Sequence, residues 1–170
     1  MDQMETNART EQSVRLRLAE LADIAAITSL INEAFRIAEA FFIDSDRIEQ
    51  PVVERLFESG HFLLAERAAT LVGCVYVELN SSLPVRSYLG LLSVAPSQQH
   101  AGIGSQLMEF AEAYCRNHKS TAMDILVVNL REDLPAFYAN RGYVVTGSSP
   151  FPADVITKVP CHFIEMSKPL

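Results

Sequence analysis

The stretch that decides the fold is LLSVAPSQQHAGIGS, residues Leu91–Ser105. Its apolar beginning predicts a strand that stops at Pro96, and the residues after it predict a tight turn followed by a helix from Gly104. Gly102 and Gly104 lack side chains where the backbone has to approach a ligand or adopt unusual dihedral angles. The first N–H groups of the helix have no partner within it, so they and the helix dipole form an anion site suited to a pyrophosphate.

Two other phosphate-binding motifs do not fit this stretch. A P-loop needs Gly-Lys-Ser/Thr after its glycines, whereas Gly104 is followed by Ser105 and Gln106. A dinucleotide fingerprint needs a third glycine at the position of Leu107. Taken by itself, the turn is also consistent with a glycine-rich connection that serves only strand-to-helix geometry.

Hydrophobic periodicity on both sides of this stretch predicts a mixed α/β (α+β) single domain. The predicted order is a strand (14–18), two helices (24–35 and 51–60), three strands (61–66, 71–79 and 88–94), a helix (104–118), a strand (123–128), a helix (134–139) and two strands (143–146 and 162–167). Residues 1–12 are polar and lack this periodicity, which predicts a flexible N-terminal tail before a domain at 13–170.

Composition excludes several classes of partner. The chain has 170 residues, 49% of them hydrophobic, but no apolar run of the ~18 residues that a membrane span needs. A net charge of −7 without clustered Lys and Arg argues against nucleic acid. The 3 cysteines are widely separated, so we expect reduced thiols in a cytoplasmic protein, with no disulfide framework and no metal site.

Two segments resemble motifs of the GNAT superfamily of N-acetyltransferases. Residues 99–104, Gln-His-Ala-Gly-Ile-Gly, resemble its Gln/Arg-x-x-Gly-x-Gly/Ala motif, and residues 92–96 resemble the strand and proline that precede it. Downstream, residues 136–143, Ala-Phe-Tyr-Ala-Asn-Arg-Gly-Tyr, resemble the family's Phe-Tyr-x-x-x-Gly-Phe/Tyr segment. Two linked motifs in the expected structural context are far more specific than either alone.

The resemblance implies a central, mostly antiparallel sheet that splays between the strands ending at Val94 and Val128. Acetyl-CoA, as cosubstrate and without a metal, would lie in the opening. Its pantetheine arm would bond to the backbone of the first strand, and its pyrophosphate to N–H groups of the turn. The implied cofactor-binding residues are Leu92, Ser93, Val94, Gln99, His100, Ala101, Gly102, Ile103, Gly104, Ser105 and Asn129.

Three residues are candidates for proton transfer. Tyr138 matches the family's tyrosine, which implies that it protonates the departing thiolate. Glu78 at a strand end and His162 in the last strand are candidate bases. Packing by Tyr138, a solvated carboxylate at Glu78 and a hydrogen-bonded core histidine at His162 are the structural alternatives. Asn129 is equally consistent with a plain turn residue.

A further group of apolar residues lies where the family's acceptor site is bordered. These residues are Phe35, Phe41, Phe42 and Ile43. They would form an apolar wall of the acceptor site, although core packing also accounts for them.

The expected function is transfer of the acetyl group of acetyl-CoA to a primary amine of a small molecule or peptide, by direct attack in a ternary complex. The resemblance also makes a homodimer reasonable. The alternatives are a catalytically silent acyl-CoA-binding sensor or scaffold, and an interaction domain that binds no CoA. Tyr138 favours catalysis over the first of these, and the glycines of the turn disfavour the second.

Deletion of residues 1–10 is predicted to leave the melting temperature unchanged, because these residues carry no apolar periodicity and bury little surface. A thermal melt of the truncated and full-length proteins tests this. A decrease of many degrees would show that the segment is docked and that the domain begins earlier.

Overall fold

The computed structural model describes residues 13–170, so the predicted tail at 1–12 lies outside the described residues. The strands are β1 (Arg15–Leu18), β2 (His61–Arg67), β3 (Thr70–Asn80), β4 (Arg86–Val94), β5 (Ala122–Val128), β6 (Val144–Pro150) and β7 (His162–Pro169). The α-helices are α1 (Ile24–Glu39), α2 (Gln50–Ser59), α3 (Ile103–Asn117) and α4 (Asp133–Ala139). Their order is the predicted one.

All seven strands form one sheet in the order β1-β2-β3-β4-β5-β7-β6. Every pairing is antiparallel except that of β4 with β5, which is parallel because α3 carries the chain back between them. The predicted mixed α/β domain with a mostly antiparallel central sheet is therefore confirmed.

Helices cover both faces of the sheet. On one face, the apolar stripe of α1 packs with α2 over β2 and β3, and Ile27 and Ile31 are completely buried there. On the other face, α3 buries Ile103 and Leu107 together with α4. Burial of one such side chain contributes about 1.5–3 kcal/mol. Gly73 allows α3 to approach, since a Cβ atom there would lie 2.9 Å from Leu107 and 3.0 Å from Ile103.

Pairing between β4 and β5 stops part-way along the strands. Residues 86–89 of β4 pair with residues 122–125 of β5, and beyond that point β4 bonds only to β3 and β5 only to β7. A bulge places one extra residue in β4 between Gly90 and Ser93, and Leu91 adopts a φ of +54° within it. The strands therefore diverge and leave an opening, as the family resemblance implied.

β6 is longer than the sequence predicted. It continues past Thr146 to Pro150, through Gly147 and two serines, and it pairs with β7 along this length. Its residues are mostly exposed on the edge of the sheet, so the segment lacks the apolar alternation on which the prediction depended.

Candidate functional site

The opening between β4 and β5 is a cleft of about 180 Å³, lined by residues from both faces of the sheet. Leu92 and Val94 of β4 and Leu126 and Val128 of β5 form its strand walls. The side chains that complete it come from α1, the following loop, the loop after β5, and α4: Phe35, Glu39, Arg47, Arg131 and Tyr138.

The β4 side of the cleft presents backbone that β5 does not bond. Ser93 and Val94 pair with β3 on the other side, and no strand bonds β4 on the cleft side here. The Ser93 side chain is buried, and its hydroxyl donates to the carbonyl of Leu91 at 3.0 Å. The Gln99 amide donates to the carbonyl of Val94 at 3.3 Å and ties the following turn to the strand end.

The N-terminus of α3 presents a group of unbonded N–H groups. Gly102 precedes it with a φ of +79°, a left-handed conformation that favours glycine, and the first intrahelical bond is from Gln106 N–H to the carbonyl of Gly102 at 3.1 Å. Among residues 13–170, no group accepts from the N–H groups of residues 103–105. Ile103 points into the core, so only its backbone faces this site.

Arg141 adds positive charge at this helix terminus, and the sequence analysis did not identify it. Its guanidinium donates to the hydroxyl of Ser105 and, at 2.7 Å, to the carbonyl of Phe137. It lies 3.6 Å from the centroid of the Phe137 ring. The sequence could have pointed to Arg141, because it is a basic residue directly before Gly142 within the quoted motif.

Tyr138 places a phenol inside the cleft. Its ring makes edge contacts with Phe137 and Tyr143, at centroid distances of 5.1 and 5.8 Å. Within the described chain, its hydroxyl makes no hydrogen bond. Burial raises the pKa of Tyr138 to about 12, although Arg131 and Arg141 act in the opposite direction. The phenol is therefore protonated at neutral pH.

Glu39 is a second cleft residue that the sequence analysis missed. It lies at the end of α1 and is 8% exposed, and within residues 13–170 its carboxylate makes no hydrogen bond, although its backbone carbonyl accepts from Phe42 and Ile43. Burial raises the pKa of its carboxyl, opposed by the charges of Arg47 and Arg131. Glu39 follows Ile31 and Phe35 at intervals of four residues along the inward face of α1. A carboxylate within this apolar stripe is the sequence feature that could have identified it.

The two candidate bases lie outside this cleft. Glu78 accepts a hydrogen bond from Tyr76 at 2.8 Å and lines a separate depression with Tyr88 and Asp124. His162 is exposed at the start of β7, and its backbone N–H donates to Asn129 Oδ1 at 2.8 Å. Asn129 is thereby engaged in joining β5 to β7 rather than lining the cleft.

The four residues of the expected acceptor wall separate into different environments. Phe35 lines the cleft, whereas Phe42 and Ile43 are buried against Val128 and the loop between β6 and β7. Phe41 is 56% exposed. Lys158 joins the loop after α1 to the loop between β6 and β7. Its backbone N–H donates to the carbonyl of Phe42, and its side-chain amine donates to the carbonyl of Ala40, each at 2.9 Å.

Residues 26–164 match the family model described as an acetyltransferase (GNAT) domain. The chain belongs to the GNAT acetyltransferase family. The match covers most of the chain and includes both segments quoted above, residues 92–104 and 136–143.

Solved structures with the same fold include several other GNAT acetyltransferases. A ribosomal-protein-alanine N-acetyltransferase from Brucella melitensis superposes with a TM-score of 0.74 at 20% identity, covering 92% of this chain and 99% of that one. A nourseothricin acetyltransferase gives 0.72 at 18% identity, covering 93% and 99%. PaiA N-acetyltransferase from Thermoplasma acidophilum, in complex with coenzyme A, gives 0.69 at 16% identity, covering 94% and 100%. The TM-scores show that these structures share the fold of this chain.

No protein of curated function is significantly similar to this GNAT chain in sequence. Residues 13–170 contain no group of three or more His, Cys, Asp or Glu side chains arranged to hold a metal ion. Within the same residues, no helix is long and apolar enough to cross a membrane. All three cysteines are free thiols, with Cys74 and Cys115 buried.

Substitution Tyr138→Phe is predicted to leave the melting temperature within about 2 °C of wild type, because the hydroxyl makes no hydrogen bond within residues 13–170 and is accessible to water in the cleft. Tyr143→Phe is the matched comparison, since the Tyr143 hydroxyl donates to Glu112 at 3.1 Å. Loss of that bond to a charged group should lower stability by about 1.5–3 kcal/mol. Thermal melts of both variants test this, and a larger loss for Tyr138→Phe would show a structural role for its hydroxyl.

Proposed function

We propose that this GNAT protein transfers the acetyl group of acetyl-CoA to a primary amine of a small molecule or peptide, by direct attack in a ternary complex. The observation that carries the proposal is a single cleft with unpaired β4 backbone along one wall and the buried phenol of Tyr138 inside it. The N–H groups at the N-terminus of α3, which have no partner in the described chain, follow shortly after the end of β4.

The proposed acetyl-CoA site follows the exposed backbone. The pantetheine amides bond to backbone groups of Leu92 and Val94, as a further strand would. N–H groups of residues 100–105 then bind the pyrophosphate, where the helix dipole favours negative charge. Arg141, held at this terminus through Ser105, adds a charge-assisted donor.

The reaction requires a neutral amine. An amine with a pKa of about 10.4 is only about 0.1% neutral near pH 7.4, so its deprotonation costs about 4 kcal/mol. The neutral nitrogen attacks the thioester carbonyl carbon, and the carbon–sulfur bond then breaks. The nitrogen loses a second proton as the amide forms, and the departing sulfur takes up a proton to give CoA thiol.

Tyr138 is the proposed proton donor to the departing sulfur. Because the pKa of Tyr138 is about 12 and that of a thiol is about 8.5, complete transfer to a free thiolate is uphill by about 5 kcal/mol. The phenol therefore stabilises the developing thiolate by hydrogen bonding, and its proton moves only as the carbon–sulfur bond breaks. A silent acyl-CoA-binding domain has no need of a buried phenol without a hydrogen bond, so Tyr138 favours catalysis.

Two measurements test the activity itself. Acetyl-CoA at 100 times its dissociation constant should stabilise the protein by about 2.7 kcal/mol in a thermal melt. An amine panel should then release CoA, detected by mass spectrometry because thiol reagents also react with the enzyme's cysteines. Stabilisation without release from any amine would support the silent domain instead.

Substitution Gly102→Glu is predicted to abolish measurable acetyl-CoA binding, because it places a carboxylate where the pyrophosphate lies. Gly102→Ala is the control. It imposes the same left-handed backbone on a residue with a Cβ, and a Cβ there meets nothing within 4 Å. Calorimetry should therefore show a much smaller loss for Gly102→Ala. Equal affinities for folded Gly102→Glu and Gly102→Ala would contradict the assignment.

Substitution Tyr138→Phe is predicted to lower kcat by roughly 10²–10⁴-fold with little change in acetyl-CoA affinity, since proton-transfer catalysis contributes about that range. Tyr143→Phe, which lies outside the cleft, should keep near-normal kcat. Near-normal turnover of Tyr138→Phe over pH 6–9, with chemistry shown to be rate-limiting, would assign proton donation to water or another group.

A further inference from the structure

Glu39 is a buried carboxylate that the fold does not use. It is 92% buried by its 8% exposure, it lines the cleft that contains Tyr138, and no donor among residues 13–170 bonds it. The carboxylate oxygens are not sealed from solvent, because Arg67 Nε is the one fully buried side-chain atom without a partner among the described residues. They are therefore accessible from the cleft that Glu39 lines, where a cationic ligand can replace water as the donor.

The two cations near Glu39 do not satisfy it. The guanidinium of Arg131 binds Asp133 through two bonds of 3.1 and 3.0 Å. Arg47 lies over the ring of Phe35, 5.3 Å from its centroid. In the described part of the chain, neither arginine is within 4 Å of the Glu39 carboxylate, so the carboxylate oxygens remain available to a donor in the cleft.

Arg47 forms no salt bridge with any residue of the described chain. Within residues 13–170 it has no carboxylate within 4 Å, and it contributes to the cleft wall from the loop after α1. Arg131 and Asp133 neutralise each other, which leaves Glu39 and Arg47 as separate, opposite charges on the same cavity. This arrangement is complementary to a molecule that carries both an ammonium and an anionic group.

We propose that Glu39 and Arg47 form the acceptor subsite, in which Glu39 binds the acceptor's ammonium and removes its proton while Arg47 binds a carboxylate on the same small molecule. The proposal rests on the acetyltransferase function above and narrows the acceptor to an amino-acid-like zwitterion.

The proposed step conserves protons and charge. One proton passes from the ammonium nitrogen to a Glu39 oxygen, giving a neutral amine and a neutral carboxylic acid. The amine attacks the thioester, and its second proton leaves as the amide forms and the sulfur is protonated near Tyr138. Glu39 then releases its proton to solvent, so the products are the amide, CoA thiol and one proton.

The first test is Glu39→Gln, which preserves volume and removes only the charge. It should lower kcat/KM for L-amino acids by roughly 10²–10⁴-fold. Glu33→Gln is the matched control, because Glu33 is exposed on the same helix and lies outside the cleft. A merely structural Glu39 would instead change the melting temperature of Glu39→Gln while leaving its kinetics like those of Glu33→Gln.

The second test is the dependence of kcat/KM on pH, which a purely structural role of Glu39 would not change. Arg47 from the loop after α1 and Arg131 from the loop after β5 lower the pKa of Glu39, and burial outweighs both. Arg36 and Asp44 line an adjoining pocket with it. Since the deprotonated form of Glu39 is active, kcat/KM should decrease as the pH falls through a pKa above that of an ordinary glutamate. Glu39→Gln should not show this decrease at low pH. If the variant still shows it, the assignment is wrong.

The acceptor class is tested with the 20 standard L-amino acids and their carboxamides. Wild type should prefer the free acids, and Arg47→Gln should reduce that preference by about 10–100-fold, as expected for a lost bond between charged groups. Arg55→Gln, an exposed position on α2, is the control. If wild type prefers carboxamides or simple amines, the acceptor is not an amino-acid-like zwitterion.

These outcomes separate the two proposals. If wild type acetylates no amine at all, the acetyltransferase function fails and this subsite fails with it. If wild type is active but Glu39→Gln and Arg47→Gln behave like their controls, only the subsite fails.

Discussion

The hydrogen bonds between β4 and β5 extend over residues 86–89 and 122–125, and the cleft depends on where they stop. The paired end is held firmly. Arg86 donates to Asp124 at 2.9 Å, and the Ser87 hydroxyl donates to Ser120 at 2.6 Å. At the other end, the bulge at Leu91 turns β4 away from its neighbour. Gly90 leaves room for the Tyr88 side chain, because a Cβ atom there would lie 2.6 Å from the Tyr88 hydroxyl oxygen.

This divergence connects backbone structure to ligand binding. A strand that leaves its neighbour has N–H and C=O groups that require another partner, either water or a ligand. The N-terminus of α3 has the same requirement, and it follows β4 after a short turn. An extended ligand with amides along its length and a pyrophosphate at one end would satisfy both, which is the order of groups in the proposed acetyl-CoA site.

The features that sequence could predict are those fixed by local chemistry. Gly102 takes the left-handed conformation that its position before the helix requires. Glu39 and Arg141 were missed because their importance arises from tertiary contacts. Glu39 reaches the cleft only because α1 packs across the diverging strands, and Arg141 reaches Ser105 from a residue 36 positions away. His162 was proposed from its ring chemistry, but its neighbour Phe163 takes the cleft-facing position on β7.

Local charge within the cleft, rather than the net charge of −7, decides which ligands fit. Positive potential is concentrated at the N-terminus of α3, where the helix dipole and Arg141 act together. The carboxylate of Glu39 lines the cleft from the end of α1, and Arg47 lines it from the following loop. In the proposed function, this separation of charge attracts an anionic cosubstrate and a cationic amine to different ends of one opening. Their reactive groups would then meet beside Tyr138, whose phenol stays protonated because it is buried.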